Sequence, residues 1–211
     1  MAEDKQEEQA KPGAPAPGPE PQGKAGAEAK EAAPKPAAPK PAVPAPQPWA
    51  SELVESLRAS FPEVPFESLT YLGQNYLILP RESILPVSMH LKSECGFDML
   101  TDLTAVDYPK REKRFEVIYL LYSFSKNERL RLKVPVGEEE PVESVVSIWA
   151  TADWLEREAF DMFGIRFAHH PNLKRILLPE EWQGYPLRKD YNILQQDVKW
   201  VQENLHIESG Q

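Results

Sequence analysis

The chain has 211 residues, a single cysteine and a formal net charge of −9. This acidity argues against binding to nucleic acid or to anionic lipid, because both partners require a basic surface. No apolar run approaches the roughly 20 residues that a membrane-spanning helix needs. One cysteine is too few for an iron–sulfur cluster or a structural zinc site, so Cys95 is expected to be a small buried apolar residue.

Residues 1–48 are predicted to form a disordered tail. They contain 12 of the 22 prolines in the chain, and they lack leucine, isoleucine and aromatic residues. Such a composition cannot bury enough apolar surface to offset the entropy that is lost on ordering. The tail has no apolar run of the kind found in secretory signals. Its seven acidic residues and its lack of arginine are also unlike a mitochondrial presequence.

The folded part is predicted to begin with a helix, a hairpin and a second helix. Residues 49–61 space their leucine and valine side chains at helical intervals. Residues 69–79 form two β-rich runs around a Gly-Gln-Asn turn, which is typical of a hairpin. Residues 81–96 predict a helix that Gly96 would end, and Pro86 must lie in its first turn or kink it.

Three strands and a further helix follow. The strands are predicted at residues 99–108, 114–124 and 129–136. The middle run is almost continuously apolar, so we expect it to lie centrally with both faces covered. The third run alternates basic and apolar residues, as a strand with one solvated face should. Residues 142–164 carry helix signals that are interrupted near Thr151, a suitable N-cap.

This order of elements predicts an α+β fold, in which residues 49–167 form a two-layer domain with a mixed sheet and helices on one face. The pattern of residue types changes after this domain. The following segment contains three prolines and no sustained periodicity, yet it keeps large apolar side chains such as Leu177 and Trp182. An irregular segment this apolar suggests an arm laid on another surface. We therefore assign residues 168–211 to an extended, irregular C-terminal arm.

The stretch 154–177 contains the densest group of charged residues, and it allows a catalytic, a solvated or a partner-docking interpretation. On a helix, the apolar side chains share one arc that should face the sheet: Leu155, Ala159, Met162 and Phe163. Arg157, Glu158 and Asp161 lie on the opposite, exposed side, with Arg157 and Asp161 at ion-pair spacing. Glu156 lies at the edge of the apolar arc. Catalytic carboxylates usually need a pocket, which nothing here indicates, so a docking face is preferred.

Two further charged groups allow more than one interpretation. The adjacent His169 and His170 suggest a metal site, but neighbouring side chains of an extended chain point to opposite sides. A polar turn is therefore the simpler interpretation. Arg188 and Lys189 lie beside Asp190 and form a compact charged group. This group could bind carboxylates on a partner or remain solvated, and the sequence leaves both possibilities open.

Taken together, these residues resemble a known family. The pattern is Glu-Arg-Glu, an acid with two apolar residues, a histidine, a lysine and two aliphatic residues. The matching residues are Glu156, Arg157, Glu158, Asp161, Met162, Phe163, His170, Lys174, Ile176 and Leu177. A Gly-Tyr-Pro-Leu-Arg-Lys-Asp-Tyr run follows at residues 184–191. Over residues 65–192 the chain resembles the 30-kDa subunit of proton-translocating NADH–quinone oxidoreductase (respiratory complex I).

The resemblance implies a subunit of the peripheral, electron-transfer arm of that complex. Such a subunit has no cofactor and no catalytic residue of its own, and the FMN, the iron–sulfur clusters and the quinone are expected in partner subunits. It packs against the 49-kDa-type subunit and a small cluster-bearing subunit near the quinone site, and its C-terminal arm wraps the larger neighbour. The implied location is the cytoplasmic side of the bacterial inner membrane, which the chain contacts only through its partners.

On this hypothesis the charged motif residues dock the partners. The expected docking residues are Glu156, Arg157, Glu158, Asp161, His170, Lys174, Arg175, Arg188, Lys189 and Asp190. One alternative is an equivalent subunit of a membrane-bound hydrogenase or of another quinone-reducing dehydrogenase. A second alternative, of a different class, is a freestanding metal-dependent hydrolase built on the same acids with His169 or His170.

Overall fold

The computed structural model describes residues 44–192 and 198–206. The helices are α1 (Glu52–Ser60), α2 (Ile84–Ser93), α3 (Ala152–Phe163) and α4 (Val198–Leu205). The strands are β1 (Gln47–Pro48), β2 (Glu67–Tyr71), β3 (Gln74–Ile78), β4 (Met99–Asp107), β5 (Phe115–Ser123), β6 (Glu128–Val136), β7 (Val142–Glu143) and β8 (Phe167–Ala168). No helix among the described residues is long and apolar enough to cross a membrane.

Six strands form one mixed sheet in the order β1-β2-β3-β6-β5-β4. The β3 and β6 strands run parallel, and the other neighbouring pairs run antiparallel. The short strands β7 and β8 pair with each other in parallel, outside this sheet. The predicted α+β fold with a mixed sheet is therefore confirmed.

The first two predicted helices are confirmed, and local capping explains their ends. The hydroxyl of Ser51 accepts a hydrogen bond from the Val54 N–H and so caps α1. A short 3₁₀ turn precedes α2, and Pro86 is the third residue of this helix, where its missing N–H leaves no helical bond unmade. Gly96 follows α2 with a φ of +74°, a left-handed conformation that favours glycine.

The predicted hairpin is also confirmed, with a tighter turn than expected. Leu72 and Gly73 form the connection, with φ values of +49° and +74°. Gln74 and Asn75, which were expected in the turn, are instead the first residues of β3. Two consecutive residues at positive φ match the right-handed twist of the flanking strands, so two residues are enough to close the hairpin.

The sheet is buried on one face only. Along β5, Val117, Tyr119 and Leu121 are buried, whereas Ile118 and the other apolar residues that alternate with them are half-buried. The buried face joins one core with residues of three helices: Leu57 of α1, Leu91 of α2 and Phe163 of α3. The expectation that both faces of β5 are covered is therefore wrong. Because α1, α2 and α3 all contribute to one core, the alternate side chains of the strand point away from them.

The residues before α3 differ from the prediction. Helix signals were expected on both sides of Thr151, but Val142–Glu143 pairs with Phe167–Ala168, and turns follow up to Thr151. The helix begins after Thr151, as predicted, although the Thr151 hydroxyl donates to the Leu100 carbonyl instead of capping α3. Gly164 ends the helix in a left-handed conformation, with a φ of +78°.

The ends of the domain also differ from the predicted boundaries. Gln47 and Pro48 were assigned to the disordered tail, yet they pair with β2 as β1. The prediction for residues 1–43 lies outside the described residues. In the C-terminal arm, residues 169–192 contain neither helix nor strand, as expected, but Val198–Leu205 forms α4. The arm is therefore irregular only in its first part.

Candidate partner-docking site

Asp161 is the centre of the contacts that hold the arm against α3. Its side chain is fully buried, and its Oδ2 accepts the successive N–H groups of Ile176, Leu177 and Leu178 at 3.0, 2.8 and 2.9 Å. Its Oδ1 accepts a bond of 2.6 Å from Nη1 of Arg175. Burial alone would raise the pKa of Asp161, but these donors together hold it below its usual value.

Arg175 extends the same anchor further along the arm. Its Nη1 also donates to the Asp161 carbonyl oxygen at 3.2 Å, and its Nη2 donates to the carbonyl oxygens of Trp182 and Gly184, both at 3.1 Å. The fixed fork of the guanidinium thus joins α3 to two later positions of the arm. Its carbon centre lies 5.3 Å from the centre of the Tyr185 ring. One arginine therefore fixes the path of residues 175–185.

Arg157 contacts the arm and not Asp161. Its Nε and Nη2 donate to the carbonyl oxygens of Lys174 and Arg175 at 3.2 and 3.3 Å. The exposed, helix-spaced ion pair predicted between Arg157 and Asp161 is therefore wrong, since both side chains are buried. The arm covers this side of α3 and supplies the partners of both residues. Of the three charged residues that were expected to be exposed, Glu158 alone is exposed.

Glu156 lies in the core and not at the edge of the apolar arc. Its side chain is fully buried, and its Oε1 accepts the Val145 N–H at 2.7 Å. Burial raises the pKa of Glu156 to about 7, against the opposing effect of hydrogen bonds from Ser144 and Val145. Burial, followed by the charge of Glu156, also raises the pKa of Tyr119. Glu156 thus fixes the loop before α3 and has no exposed surface.

The two adjacent histidines point in opposite directions, as predicted. The His170 ring is fully buried, and its Nδ1 accepts the Asn172 N–H at 3.0 Å. The Nε2 atom therefore carries the proton and donates to the Asp153 carbonyl oxygen at 3.1 Å. His169 is exposed and contacts Glu143. Among the described residues, no three histidine, cysteine or acidic side chains are placed to hold a metal ion.

A second anchor holds the arm after Gly184. The Leu187 N–H donates to the Met162 carbonyl oxygen at 3.1 Å, and the Arg188 Nε donates to the Phe163 carbonyl oxygen at 2.6 Å. These bonds satisfy carbonyl groups at the C-terminal end of α3. Any Cβ at Gly164 would lie within 2.6 Å of Tyr185 and 2.7 Å of Arg188. Glycine is therefore required here for the close approach of the arm as well as for its positive φ.

The end of the sheet completes this second anchor. Arg114 forms a bidentate pair with Asp107, at 2.9 and 3.0 Å, and a further bond of 2.7 Å with Asp190. Asp107 also accepts the Lys189 N–H at 2.7 Å. Burial alone would raise the pKa of Asp107, but the hydrogen bonds from Arg114 and Lys189 hold this pKa below its usual value. The carboxylate of Glu138 accepts hydrogen bonds from both Arg114 and Arg188.

The predicted docking residues therefore fall into two groups. Six of them have buried or largely buried side chains that make contacts within the chain: Glu156, Arg157, Asp161, His170, Arg175 and Arg188. The other four are exposed: Glu158, Lys174, Lys189 and Asp190, the last paired with Arg114. Sequence reasoning missed Asp107, Arg114 and Glu138, because no spacing along the chain relates them to arm residues that lie 50 to 82 positions away.

Large apolar side chains remain exposed around these anchors. Trp154, Leu177 and Leu187 are 60%, 62% and 51% exposed. We call Trp154, Leu177 and Leu187, with the charged Glu158 and Lys174, the arm surface. Exposed aromatic and aliphatic side chains next to a few charges are typical of a protein–protein interface. The arm surface is the exposed part of this candidate site.

Comparisons with known proteins agree on one family. Residues 77–197 match the family model described as "Respiratory-chain NADH dehydrogenase, 30 Kd subunit". The C subunit of the NADH-quinone oxidoreductase of Geotalea uraniireducens is 44% identical over 139 residues, covering 65% of this chain and 85% of the relative. The same subunit of Trichlorobacter lovleyi is 47% identical over 140 residues, covering 65% of this chain and 86% of the relative.

A solved structure has a similar fold. It is a chain from the membrane-bound sulfane sulfur reductase, an archaeal respiratory membrane complex. The TM-score is 0.58 and the sequence identity is 23%, with 74% of this chain and 91% of that chain covered. At this identity the similarity concerns the fold alone.

We predict that Asp161→Asn lowers the free energy of unfolding of the full chain by about 3 kcal/mol, because it leaves buried donors without a charged acceptor. Urea denaturation near neutral pH measures this. The pKa of Asp161 is lowered by folding, so its stabilising effect is present at neutral pH and is lost on acidification through its folded pKa. The control Asp98→Asn, at an exposed position, should change little. Equal effects of the two substitutions would contradict the anchor.

We also predict that Glu156 makes stability depend on pH in the opposite direction. Because folding raises its pKa to about 7, the folded chain keeps a proton that the unfolded chain releases at lower pH. The free energy of unfolding should therefore fall as the pH rises towards 7 and then level off. Glu156→Gln removes this titration. Between about pH 5 and pH 8, the free energy of unfolding of the variant should therefore rise by on the order of 2 kcal/mol relative to that of the native chain.

Urea denaturation across this pH range tests the second prediction, with the exposed Glu158→Gln as the control on the same helix. The free energy of unfolding of the control should depend on pH in the same way as that of the native chain. A constant difference between Glu156→Gln and the native chain at all pH values would show that Glu156 does not titrate in this range.

Proposed function

The chain belongs to the 30-kDa subunit family of respiratory-chain NADH dehydrogenases, which are also called NADH-quinone oxidoreductases, and we propose that it serves there as a non-catalytic docking subunit. As a member of this family it is a subunit of a respiratory complex that carries electrons from NADH to quinone. Its proposed place is in the peripheral arm, against the 49-kDa-type subunit and a small cluster-bearing subunit near the quinone site. FMN, iron–sulfur clusters and quinone are assigned to partner subunits.

The observation that carries this proposal is the use of the motif residues within the chain. Asp161 and Arg175 bind each other and the backbone of the arm, and Arg157 binds the arm carbonyls. A catalytic acid or base must reach a substrate proton, but Asp161 and Glu156 have no exposed surface. These residues therefore hold the arm against α3, and they are not placed to take part in a reaction.

The shape that they build suits the docking of a large partner. The anchors fix the arm before a partner arrives, which reduces the conformational entropy that is lost on binding. Trp154 and Leu177 remain exposed on the arm surface, and large aromatic and aliphatic side chains often dominate binding energy. We assign this surface to the 49-kDa-type subunit, since the family resemblance implies that the arm wraps the larger neighbour.

Contact with the membrane is proposed to be indirect. A formal net charge of −9 disfavours direct binding to anionic lipid headgroups. We propose that the chain lies on the cytoplasmic side of the bacterial inner membrane and is held there by its partners.

A related assembly is the second candidate. The fold is similar to that of a chain of the membrane-bound sulfane sulfur reductase, so this fold also occurs in another respiratory membrane complex. The donor-binding partner would distinguish the two assemblies. The metal-dependent hydrolase is not favoured, because His169 and His170 point apart and His170 is engaged with Asp153 and Asn172.

The direct test is isolation of the assembly that contains the chain. A tagged copy is expressed in its native cell, membranes are solubilised in mild detergent, and a native gel is stained for NADH dehydrogenase activity. We expect one large active band in which mass spectrometry finds flavin- and cluster-bearing subunits. A large inactive band with another donor module would select the related assembly. A soluble monomer with bound metal would overturn both.

Arg157→Ala should reduce the amount of assembled complex, because it frees the arm at the Lys174 and Arg175 carbonyls. The measurement is the intensity of the NADH-active band per cell. Arg166→Ala is the matched control, since Arg166 is exposed and pairs with an exposed Glu139. A variant that assembled fully but turned over slowly would instead indicate a direct role in electron or proton transfer.

Leu177→Asp should separate docking from folding. Leu177 is 62% exposed, so the isolated chain should keep its thermal stability, whereas the assembled complex should fall roughly fivefold or more through loss of an apolar contact. Met89→Asp, at a side chain that is 55% exposed on α2, is the control. Normal assembly of Leu177→Asp would remove the arm surface from the interface.

A further inference from the structure

The side of the sheet that faces away from the core is not covered by α1, α2 or α3. Its half-buried apolar side chains come from four strands: Leu69 and Tyr71 of β2, Ile78 of β3, Val106 of β4, and Ile118, Leu120 and Tyr122 of β5. Phe124, which is 64% exposed, extends this set through an edge-to-face contact with Tyr122, with the ring centres 5.0 Å apart. We call these residues the open sheet face. Neighbouring apolar side chains that remain partly exposed on one face are a feature of binding surfaces.

Two arginines of β6 lie on this face between apolar neighbours. Arg131 pairs in register with Leu120 and Tyr76, and Arg129 pairs with Tyr122. Lys133, the next basic residue of the strand, already has a partner, because its Nζ lies 3.2 Å from Glu116. Neither Arg129 nor Arg131 forms an ion pair within the described part of the chain. These two guanidinium groups therefore remain available to carboxylates from elsewhere.

The surroundings of Arg131 strengthen this point. Its Nη2 donates to the neutral amide oxygen of Gln74, and its Nε is buried without a hydrogen-bond partner among the described residues. A buried donor without an acceptor is unfavourable, and a carboxylate that reached the guanidinium fork would relieve this. A groove of about 1160 Å³ beside the start of α1 is lined by both arginines and by Lys126, with Glu52 and Glu128 as its acidic residues.

From this arrangement we propose that the open sheet face docks a second subunit of the same complex, through an apolar segment that carries two carboxylates. This inference rests on the proposed function, but it concerns a surface separate from the arm surface. Arg129 and Arg131 are two residues apart on one strand, so their partner carboxylates should be about 7 Å apart. Acidic residues two apart on a strand or four apart on a helix meet this spacing.

Charge complementarity selects this kind of occupant. Between residues 49 and 163 the chain carries 20 acidic and 12 basic residues, so most of this surface repels an acidic partner. On the open sheet face the basic residues of β6 lie along the centre, whereas the carboxylates of Glu67 and Asp102 lie on the flanking strands β2 and β4. The carboxylate of Glu116 is already paired with Lys133 and is close to Arg111. An acidic partner is therefore directed to this face. A second copy of this chain would bring mainly negative surface regions together.

The test compares two double variants in the native cell. Arg129→Glu/Arg131→Glu reverses the two free charges, and Arg58→Glu/Lys110→Glu makes the same change of charge at exposed positions away from the open sheet face. We expect the first variant to reduce the NADH-active complex roughly tenfold and the second to leave it within about twofold of normal. Thermal melting of both isolated full chains should match the native chain, and Arg129→Lys/Arg131→Lys should restore most of the assembly.

Comparison with the arm variant separates failure of this inference from failure of the proposed function. If Leu177→Asp prevents assembly while Arg129→Glu/Arg131→Glu assembles normally, the open sheet face is not an interface and the proposed function stands. If the native chain enters no large complex, both are overturned.

A photo-crosslinking phenylalanine analogue at Tyr122 identifies the occupant. The expected product joins this chain to an acidic segment of another subunit in the purified complex. Crosslinks only to a second copy of this chain, or none while the same analogue at Leu177 reacts with a partner, would overturn the proposal.

Discussion

The structure of the candidate site depends on one buried carboxylate. Asp161 accepts three successive backbone N–H groups and one guanidinium bond, so a single side chain fixes the positions of four consecutive residues of the arm. The irregular backbone of the arm leaves many polar groups without regular partners, and a buried anion supplies the acceptor that three of them need. The path of the arm from Arg175 to Leu178 therefore depends on this one acid.

A buried ionic group of this kind contributes more to uniqueness than to net stability. Removing two charges from water costs several kcal/mol, and well-packed apolar residues could often stabilise a helix–arm contact as well. An apolar contact, however, is not directional. The three N–H groups and the Arg175 fork allow one register, because a shift by one residue would break several directional bonds. We interpret the motif as a device that gives the arm a single path.

The sequence predicted the periodic part of the fold better than the site. Strands β4, β5 and β6 and the end of α3 at Gly164 follow from alternation and from glycine conformation, which are local properties. The prediction that Arg157 and Asp161 lie on the exposed side of the helix was wrong, because it assumed that charged side chains face the solvent. Their partners lie 14 to 18 positions later, in an arm without periodicity, so no local rule could place them. Asp107 and Arg114, which contact Lys189 and Asp190 of the arm, were missed for the same reason.

Glu156 and Asp161 show how far environment decides the role of a carboxyl group. They lie five residues apart on one helix, and both are fully buried, yet the pKa of Glu156 is raised to about 7 and that of Asp161 is lowered. The difference follows from the donors that each one meets, since four hydrogen bonds outweigh burial at Asp161 and burial wins at Glu156. In an open cleft, two such acids would suggest an acid–base pair. Here both are sealed beneath the chain's own arm and loop, so the same electrostatics fix the paths of these two segments.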